Sequence, residues 1–133
     1  MAVELVAEET VTAGEPTAVE GPSPRFTFAV VFEDDGETGY LYGLDFSREG
    51  NPILDAMQIY NVAQVVDREK PSLVQLVWSS DGLKAALLIN KYPHAVFDFE
   101  ACRGYCRTGF PPADPKWTEF DHSWDDSAVE LLR

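Results

Sequence analysis

Residues 73–99, LVQLVWSSDGLKAALLINKYPHAVFDF, form the densest apolar stretch of the chain between two turn signals. Asp81-Gly82 separates two apolar runs, and glycine accepts the positive φ of a tight turn, so residues 79–82 are predicted to reverse the chain. Residues 90–93 predict a second reversal. Residues 84–89 are apolar on both strand faces, which is typical of a central strand. We therefore expect the middle of an antiparallel sheet here.

Two further strands are predicted upstream of this stretch. Large apolar residues alternate with smaller or polar ones first at Phe26, Phe28, Val30 and Phe32, and again at Tyr40, Tyr42, Leu44 and Phe46. The polar segment 34–39 separates the two runs. This pattern predicts a hairpin whose large rings lie opposite each other on one face, where cross-strand pairs stabilise a sheet by about 0.2–1 kcal/mol each.

Residues 51–60 predict a helix, because Asn51 can cap it and Pro52 suits its first position. The apolar residues that share its face are Ile53, Leu54, Met57 and Tyr60. The chain's end allows two alternatives. In one, a helix starts at Pro115 and carries Trp117, Phe120, Trp124 and Ala128 at helical spacing. In the other, a separate last helix starts near Ser123 and runs to Leu132.

Together these patterns predict an α+β fold. We expect a single, strongly twisted antiparallel sheet of about five strands, with the helix near residues 51–60 packed on one face and a short C-terminal helix. Residues 1–24 carry five acids, no base and few apolar side chains, so we expect a flexible acidic lead-in with at most a short strand at residues 3–7. Residues 25–133 are then a single α+β domain.

The charge balance restricts the partners. The chain has 10 Lys and Arg against 23 Asp and Glu, a net charge of -13. Such a surface repels nucleic acid and anionic membranes and attracts basic partners. The first residues lack the basic and apolar regions of a secretory signal, and no run reaches the roughly 18 apolar residues of a membrane span. We therefore expect a cytoplasmic protein in which Cys102 and Cys106 remain thiols.

One constellation could carry chemistry. His94 and Asp98 share a strand face, and a histidine oriented by a carboxylate could serve as a general base for Cys102 or Cys106. The same side chains, with Tyr105 and Arg107 beside them, make the alternative hypothesis of a small enzyme or metal site. One cysteine pair with the distant His94 and His122 is the weakest form of a zinc pattern, so we expect no metal and no cofactor.

Several stretches resemble a family of small bacterial proteins catalogued only as a domain of unknown function. The similar stretches are residues 31–40, 53–61, 78–90, 92–99 and 104–107. This resemblance implies no known activity. A looser analogy, at the level of fold class and charge only, is with small acidic immunity proteins that block toxins.

We therefore expect a non-enzymatic protein-binding module, an immunity-like antagonist of a basic partner or a homodimer. Tryptophan and other aromatic residues concentrate binding energy at interfaces, and two of the three tryptophans lie near the C-terminus. The residues expected to bind the partner are Trp117, Phe120, Trp124, Asp125 and Asp126.

Overall fold

The structure is a computed structural model that describes residues 3–132, and these residues form mostly β-strands in two antiparallel sheets. The five-stranded sheet has the spatial order β1 (Val3–Val11), β6 (Ser72–Ser79), β7 (Lys84–Ile89), β8 (Tyr92–Asp98) and β9 (Arg103–Cys106). The four-stranded sheet has the order β2 (Thr17–Pro22), β3 (Phe28–Asp34), β4 (Thr38–Asp45) and β5 (Ile53–Asn61). Two 3₁₀ helices span Val62–Gln64 and Asp126–Leu132.

The main core lies between the two sheets. Its largest fully buried apolar side chains are Trp78, Phe32, Phe97, Leu41, Met57, Leu76 and Leu87. Fully burying one such side chain stabilises the fold by about 1.5–3 kcal/mol. The indole Nε1 of Trp78 donates a hydrogen bond to the carbonyl of Gly21 at 3.0 Å, which ties β6 to β2 in the other sheet. The sheets approach closely where Gly43 faces Phe97, since a Cβ on Gly43 would lie 3.2 Å from that ring.

A second apolar cluster covers the other face of the five-stranded sheet. The last 3₁₀ helix places Ala128 and Leu132 against Val77, Ala86 and Val96. The C-terminal segment is therefore part of the packed structure. No helix within residues 3–132 has the length and apolarity that a membrane span requires.

The predicted α+β fold, with a single sheet of about five strands and a helix at residues 51–60, is wrong, because the strands form two sheets. Residues Ile53–Asn61 are β5, which pairs antiparallel with β4 and buries Met57 and Ile59 in the core. Asn51 does not cap a helix; its Oδ1 accepts a hydrogen bond from the Ile53 amide at 3.0 Å, as in an Asx turn. Pairing with a distant strand has overridden the local helix signal.

Other expectations had different outcomes. The reversal at residues 79–82 is confirmed, since the Gly82 amide donates to the Ser79 carbonyl at 2.9 Å. Residues 3–22, assigned to a flexible lead-in, form β1 and β2. Phe32 pairs with Leu41, so Tyr40 and Tyr42 lie on the opposite face from Phe32 and the predicted cross-strand ring pairs do not form. The short C-terminal helix exists as the 3₁₀ helix Asp126–Leu132.

Candidate functional site

The predicted catalytic constellation lacks the bond between His94 and Asp98 on which it depends. His94 and Asp98 lie four residues apart on β8, about 13 Å along a strand, which exceeds hydrogen-bond reach. Asp98 Oδ1 accepts from the amides of Glu100 and Ala101 at 3.0 Å, so it closes the turn before β9. Within residues 3–132, no three His, Cys, Asp or Glu side chains come together in a way that could hold a metal ion.

The two cysteines lie at the two ends of β9. Cys106 is buried at the end of β9, and its Sγ contacts the Gln58 carbonyl at 3.2 Å. Cys102 precedes β9 in a turn with φ of 54°, where its Sγ lies 3.9 Å from the Phe99 carbonyl. Both are free thiols.

All five predicted partner-binding residues make contacts within the chain, although three of them remain exposed. Trp117 packs edge-on against Phe97 and Phe99 at centroid distances of 5.9 and 6.3 Å. Trp124 packs against the second apolar cluster, and its Nε1 donates to Asp126 at 2.8 Å. Asp125 accepts from the Ser127 amide at 2.9 Å, at the start of the last 3₁₀ helix. The side chains of Phe120, Asp125 and Asp126 remain exposed.

A buried ion pair joins residues that the sequence analysis did not connect. His122 Nε2 lies 2.7 Å from Asp55 Oδ2, and His122 Nδ1 lies 2.6 Å from the Pro111 carbonyl. His122 is 1% exposed and Asp55 is 5% exposed. Because carbonyl and carboxylate oxygens only accept, both ring nitrogens donate, which requires the positively charged imidazolium. Burial opposes this charge, but the hydrogen bond and the negative charge of Asp55 outweigh burial and raise the pKa of His122.

Two arginines stack on aromatic rings along β8, β9 and the C-terminal segment. The Arg107 guanidinium lies 4.3 Å from the Tyr92 ring centroid and 4.1 Å from that of Trp124. Arg103 lies between the rings of Tyr105 and Phe120 at 4.7 and 4.5 Å. Cation–π contacts of this kind contribute about 0.5–1 kcal/mol each at exposed sites. They fasten the C-terminal segment to the sheet.

At the end of the sandwich, Asp34 organises three segments. Its carboxylate is 1% exposed and accepts from the amides of Gly14 and Gly36, both at 2.8 Å, and from the Tyr60 hydroxyl at 2.6 Å. Both glycines have positive φ, 93° and 100°, which brings their amides round to the carboxylate. Burial and the bond to Asp34 raise the pKa of Tyr60. The partners of Asp34 line two cavities that share Ala13: Gly14 and Gly36 line one, and Tyr60 lines the other.

The two cavities differ in character. The larger, about 690 Å³, is an open groove with polar residues such as Glu15, Glu37 and Arg68. The smaller, about 190 Å³, is lined mainly by aliphatic side chains and by His94. Leu87 pairs with Ala95 and Leu88 with Pro93, so His94 is an extra residue without a partner on β7. Such bulges redirect side chains, here placing His94 in the cavity wall.

One side of the sandwich presents an open strand edge. β1 pairs with β6 and ends the five-stranded sheet. Val3 and Leu5 on β1 are 42% and 52% exposed. The charged residues of β1 and of the neighbouring edge strand β2 are all acidic: Glu4, Glu8, Glu9 and Glu20.

With these sites located, comparisons with known proteins give the family. A model of uncharacterised proteins conserved in bacteria, DUF2251, matches residues 11–133. The chain belongs to the DUF2251 family. An uncharacterised protein of Haemophilus influenzae is similar, with 42% identity over 117 residues that cover 86% of this chain and 73% of that relative. No solved structure matches.

The DUF2251 match contains the Asp55–His122 pair, the Asp34 network and all residues that line the smaller cavity, whereas residues 3–10 of β1 precede it. Sequence reasoning singled out His94 but missed Asp55, Asp34 and Tyr60 as site residues. Asp34 and Gly36 in a predicted turn are the one local signal that could have indicated the Asp34 network. No local signal links Asp55 to His122, because 67 residues separate them.

Proposed function

We propose that this chain is a non-catalytic cytoplasmic protein-binding module whose edge strand β1 pairs with an extended basic segment of another protein. The observation that carries the proposal is the open edge of β1. An unpaired edge presents backbone donors and acceptors that a foreign strand can use, and this is a general mode of peptide recognition.

The charge of this edge favours a basic partner. Four glutamates and no base lie on β1 and β2, within a chain of net charge -13. Complementary charge accelerates encounter and rejects acidic competitors. A second copy of this chain fits less well, since antiparallel pairing of β1 with itself would bring acidic side chains together. A basic toxin neutralised by an acidic partner is one instance of the required chemistry.

Apolar contact is also available at this edge. Leu5 and Val3 expose about half of their surfaces, and Leu5 lies directly opposite the buried Val77 on β6. A bound strand that alternates basic and aliphatic residues would cover these side chains while its cations meet Glu4 and Glu9. The exposed Phe120, Asp125 and Asp126 form a second candidate surface for the same function. The enzyme alternative has less support, because Asp98 is too far along β8 to orient His94 and the two cysteines contact backbone carbonyls.

Titration calorimetry with a defined peptide tests the proposal. A peptide of about ten residues that alternates Lys and Val matches the length of a strand. We expect it to bind, and we expect the double variant Glu4→Lys/Glu9→Lys to weaken binding about tenfold or more because two attractions become repulsions. Binding should also weaken in about 1 M salt, where the Debye length falls to about 3 Å.

Matched variants separate the edge from general charge. Glu49→Lys/Glu119→Lys makes the same change in net charge at exposed positions, one in the β4–β5 loop and one beside the opposite edge strand β9, and should retain most of the affinity. Leu5→Lys should weaken binding without changing the fold. Equal weakening by both double variants would exclude β1 as the recognition element, and so would a loss caused by Phe120→Ser alone.

A further inference from the structure

The smaller cavity has the size and lining of a site for a small molecule. Its volume of about 190 Å³ is similar to that of apolar protein cavities, about 150 Å³, that stay dry and bind benzene. Drug-sized ligands occupy about 300–1,000 Å³, so a single ring with one substituent is the appropriate scale.

The walls of this cavity come from both sheets. Val11, Val74 and Ile89 belong to the five-stranded sheet, Ile59 to the four-stranded sheet, and Val65 to the loop after the first 3₁₀ helix. Val11, Ile59 and Val74 are buried, whereas Val65 and Ile89 are half-buried, so the cavity extends from the core to the surface. Aliphatic walls of this kind favour an apolar ring over water.

One polar side chain in the wall makes no hydrogen bond among residues 3–132. The Tyr60 hydroxyl already donates its proton to Asp34 and keeps only acceptor capacity. Ser72 Oγ accepts from the Asn90 amide group at 3.3 Å. The His94 ring, in contrast, has no hydrogen-bond partner among residues 3–132; it packs edge-on against Tyr92, while only its backbone carbonyl accepts, from the Arg107 amide.

The protonation of His94 suits a neutral ligand. Burial, assisted by the positive charge of Arg107, lowers the pKa of His94. At neutral pH the ring is therefore uncharged and offers one donor and one acceptor. A hydroxyl group can bond to either nitrogen. A carboxylate would have to leave water for an aliphatic cavity, which is costly without a paired cation.

We propose that this cavity binds a small, neutral, monocyclic phenol, with its ring among Val11, Ile59 and Val74 and its hydroxyl hydrogen-bonded to His94. This site goes beyond protein recognition at β1 and does not depend on it. Its residues all lie within the family match.

Ligand-observed NMR and titration calorimetry with three probes test the site. We expect p-cresol to bind saturably, toluene to bind about three- to tenfold more weakly because it lacks one net hydrogen bond, and benzoate not to bind. His94→Phe keeps a ring but removes both nitrogens, so it should reduce the affinity for p-cresol to that for toluene and leave toluene unchanged.

A pair of neighbouring tryptophan variants controls for indirect effects. Val65→Trp fills the cavity from the loop and should abolish binding of both p-cresol and toluene. Val66→Trp adds the same side chain at a position that is 84% exposed and should retain binding. Absence of saturable p-cresol binding to the native chain, or equal losses in the two variants, would overturn the site. Equal affinities of the native chain for p-cresol and toluene would overturn the role of His94.

Discussion

Of the two histidines, His122 is buried and His94 is half-buried, and their pKa values shift in opposite directions. His122 is bonded through both ring nitrogens, to Asp55 and to the Pro111 carbonyl, and its pKa is raised. His94 has no such acceptor and feels the charge of Arg107, and its pKa is lowered. Burial penalises the charged form in both regions, so the partners decide the outcome. The Asp55–His122 region is a structural clamp, whereas the His94 region keeps hydrogen-bonding capacity for a ligand.

The largest expected effect is the loss of stability when the Asp55–His122 ion pair is removed. Asp55→Ala leaves the His122 imidazolium buried without its partner, and loss of one member of a buried pair costs about 3–5 kcal/mol. Urea denaturation should show this loss in the free energy of unfolding, while Glu49→Ala at an exposed site should change it by less than about 0.5 kcal/mol. A loss below about 1 kcal/mol for Asp55→Ala would refute the clamp.

A smaller loss of stability is expected when the bond between Tyr60 and Asp34 is removed. Tyr60→Phe removes one of the three donors of the buried Asp34 carboxylate, which costs about 1–3 kcal/mol. Tyr42→Phe is the matched control, because its hydroxyl bonds to the half-exposed Glu33 at 3.2 Å and its loss should cost less. The two free energies of unfolding, measured under identical conditions, should therefore differ; equal values would mean that Asp34 does not depend on Tyr60.

The pH dependence of stability should separate the two histidines. The raised pKa of His122 gives stability that is complete below the unfolded value of 6.5 and is lost as pH rises through the folded pKa. The lowered pKa of His94 gives stability that is present above 6.5 and is lost as pH falls through its folded pKa. Unfolding midpoints from about pH 5 to about pH 9 should show His122→Gln flattening the alkaline limb and His94→Gln the acidic limb. The reverse assignment would show that the two charge states have been exchanged.

The smallest expected effect tests the cause of the lowered pKa of His94. Arg107→Gln removes a positive charge near the ring, so the pKa of His94 should rise toward 6.5. An NMR titration of the ring protons measures it directly, and Arg48→Gln, a loss of charge in the loop after β4, should leave it unchanged. No rise in Arg107→Gln would leave burial as the whole cause.

Sequence reasoning located the antiparallel strands within residues 73–99, because apolar runs and the Asp-Gly and Asn turns between them are local signals. It failed at β5, where Asn51-Pro52 and the spacing of Leu54, Met57 and Tyr60 favour a helix but pairing with β4 decides the structure. It also failed at β1 and β2, since edge strands with acidic side chains have the composition of a disordered segment.

The candidate site was less accessible to sequence reasoning than the fold. His94 was singled out, but its location in a cavity wall depends on a β-bulge, and no residue type in this segment predicts that bulge. The Asp55–His122 pair and the Tyr60–Asp34 bond join residues 67 and 26 positions apart, and only the packing of the two sheets brings them together.

The order of strands along the chain has a consequence for synthesis on the ribosome. The strands β2 to β5 are consecutive and can assemble into their sheet as they emerge, whereas β1 must wait for β6, whose last residue is Ser79. A nascent chain would thus carry an unpaired first strand, and its glutamates, as charged gatekeepers, would discourage premature association with other chains. Pulsed hydrogen exchange during refolding should show the amides of β1 gaining protection after those of β3 and β4; earlier protection of β1 would exclude this order.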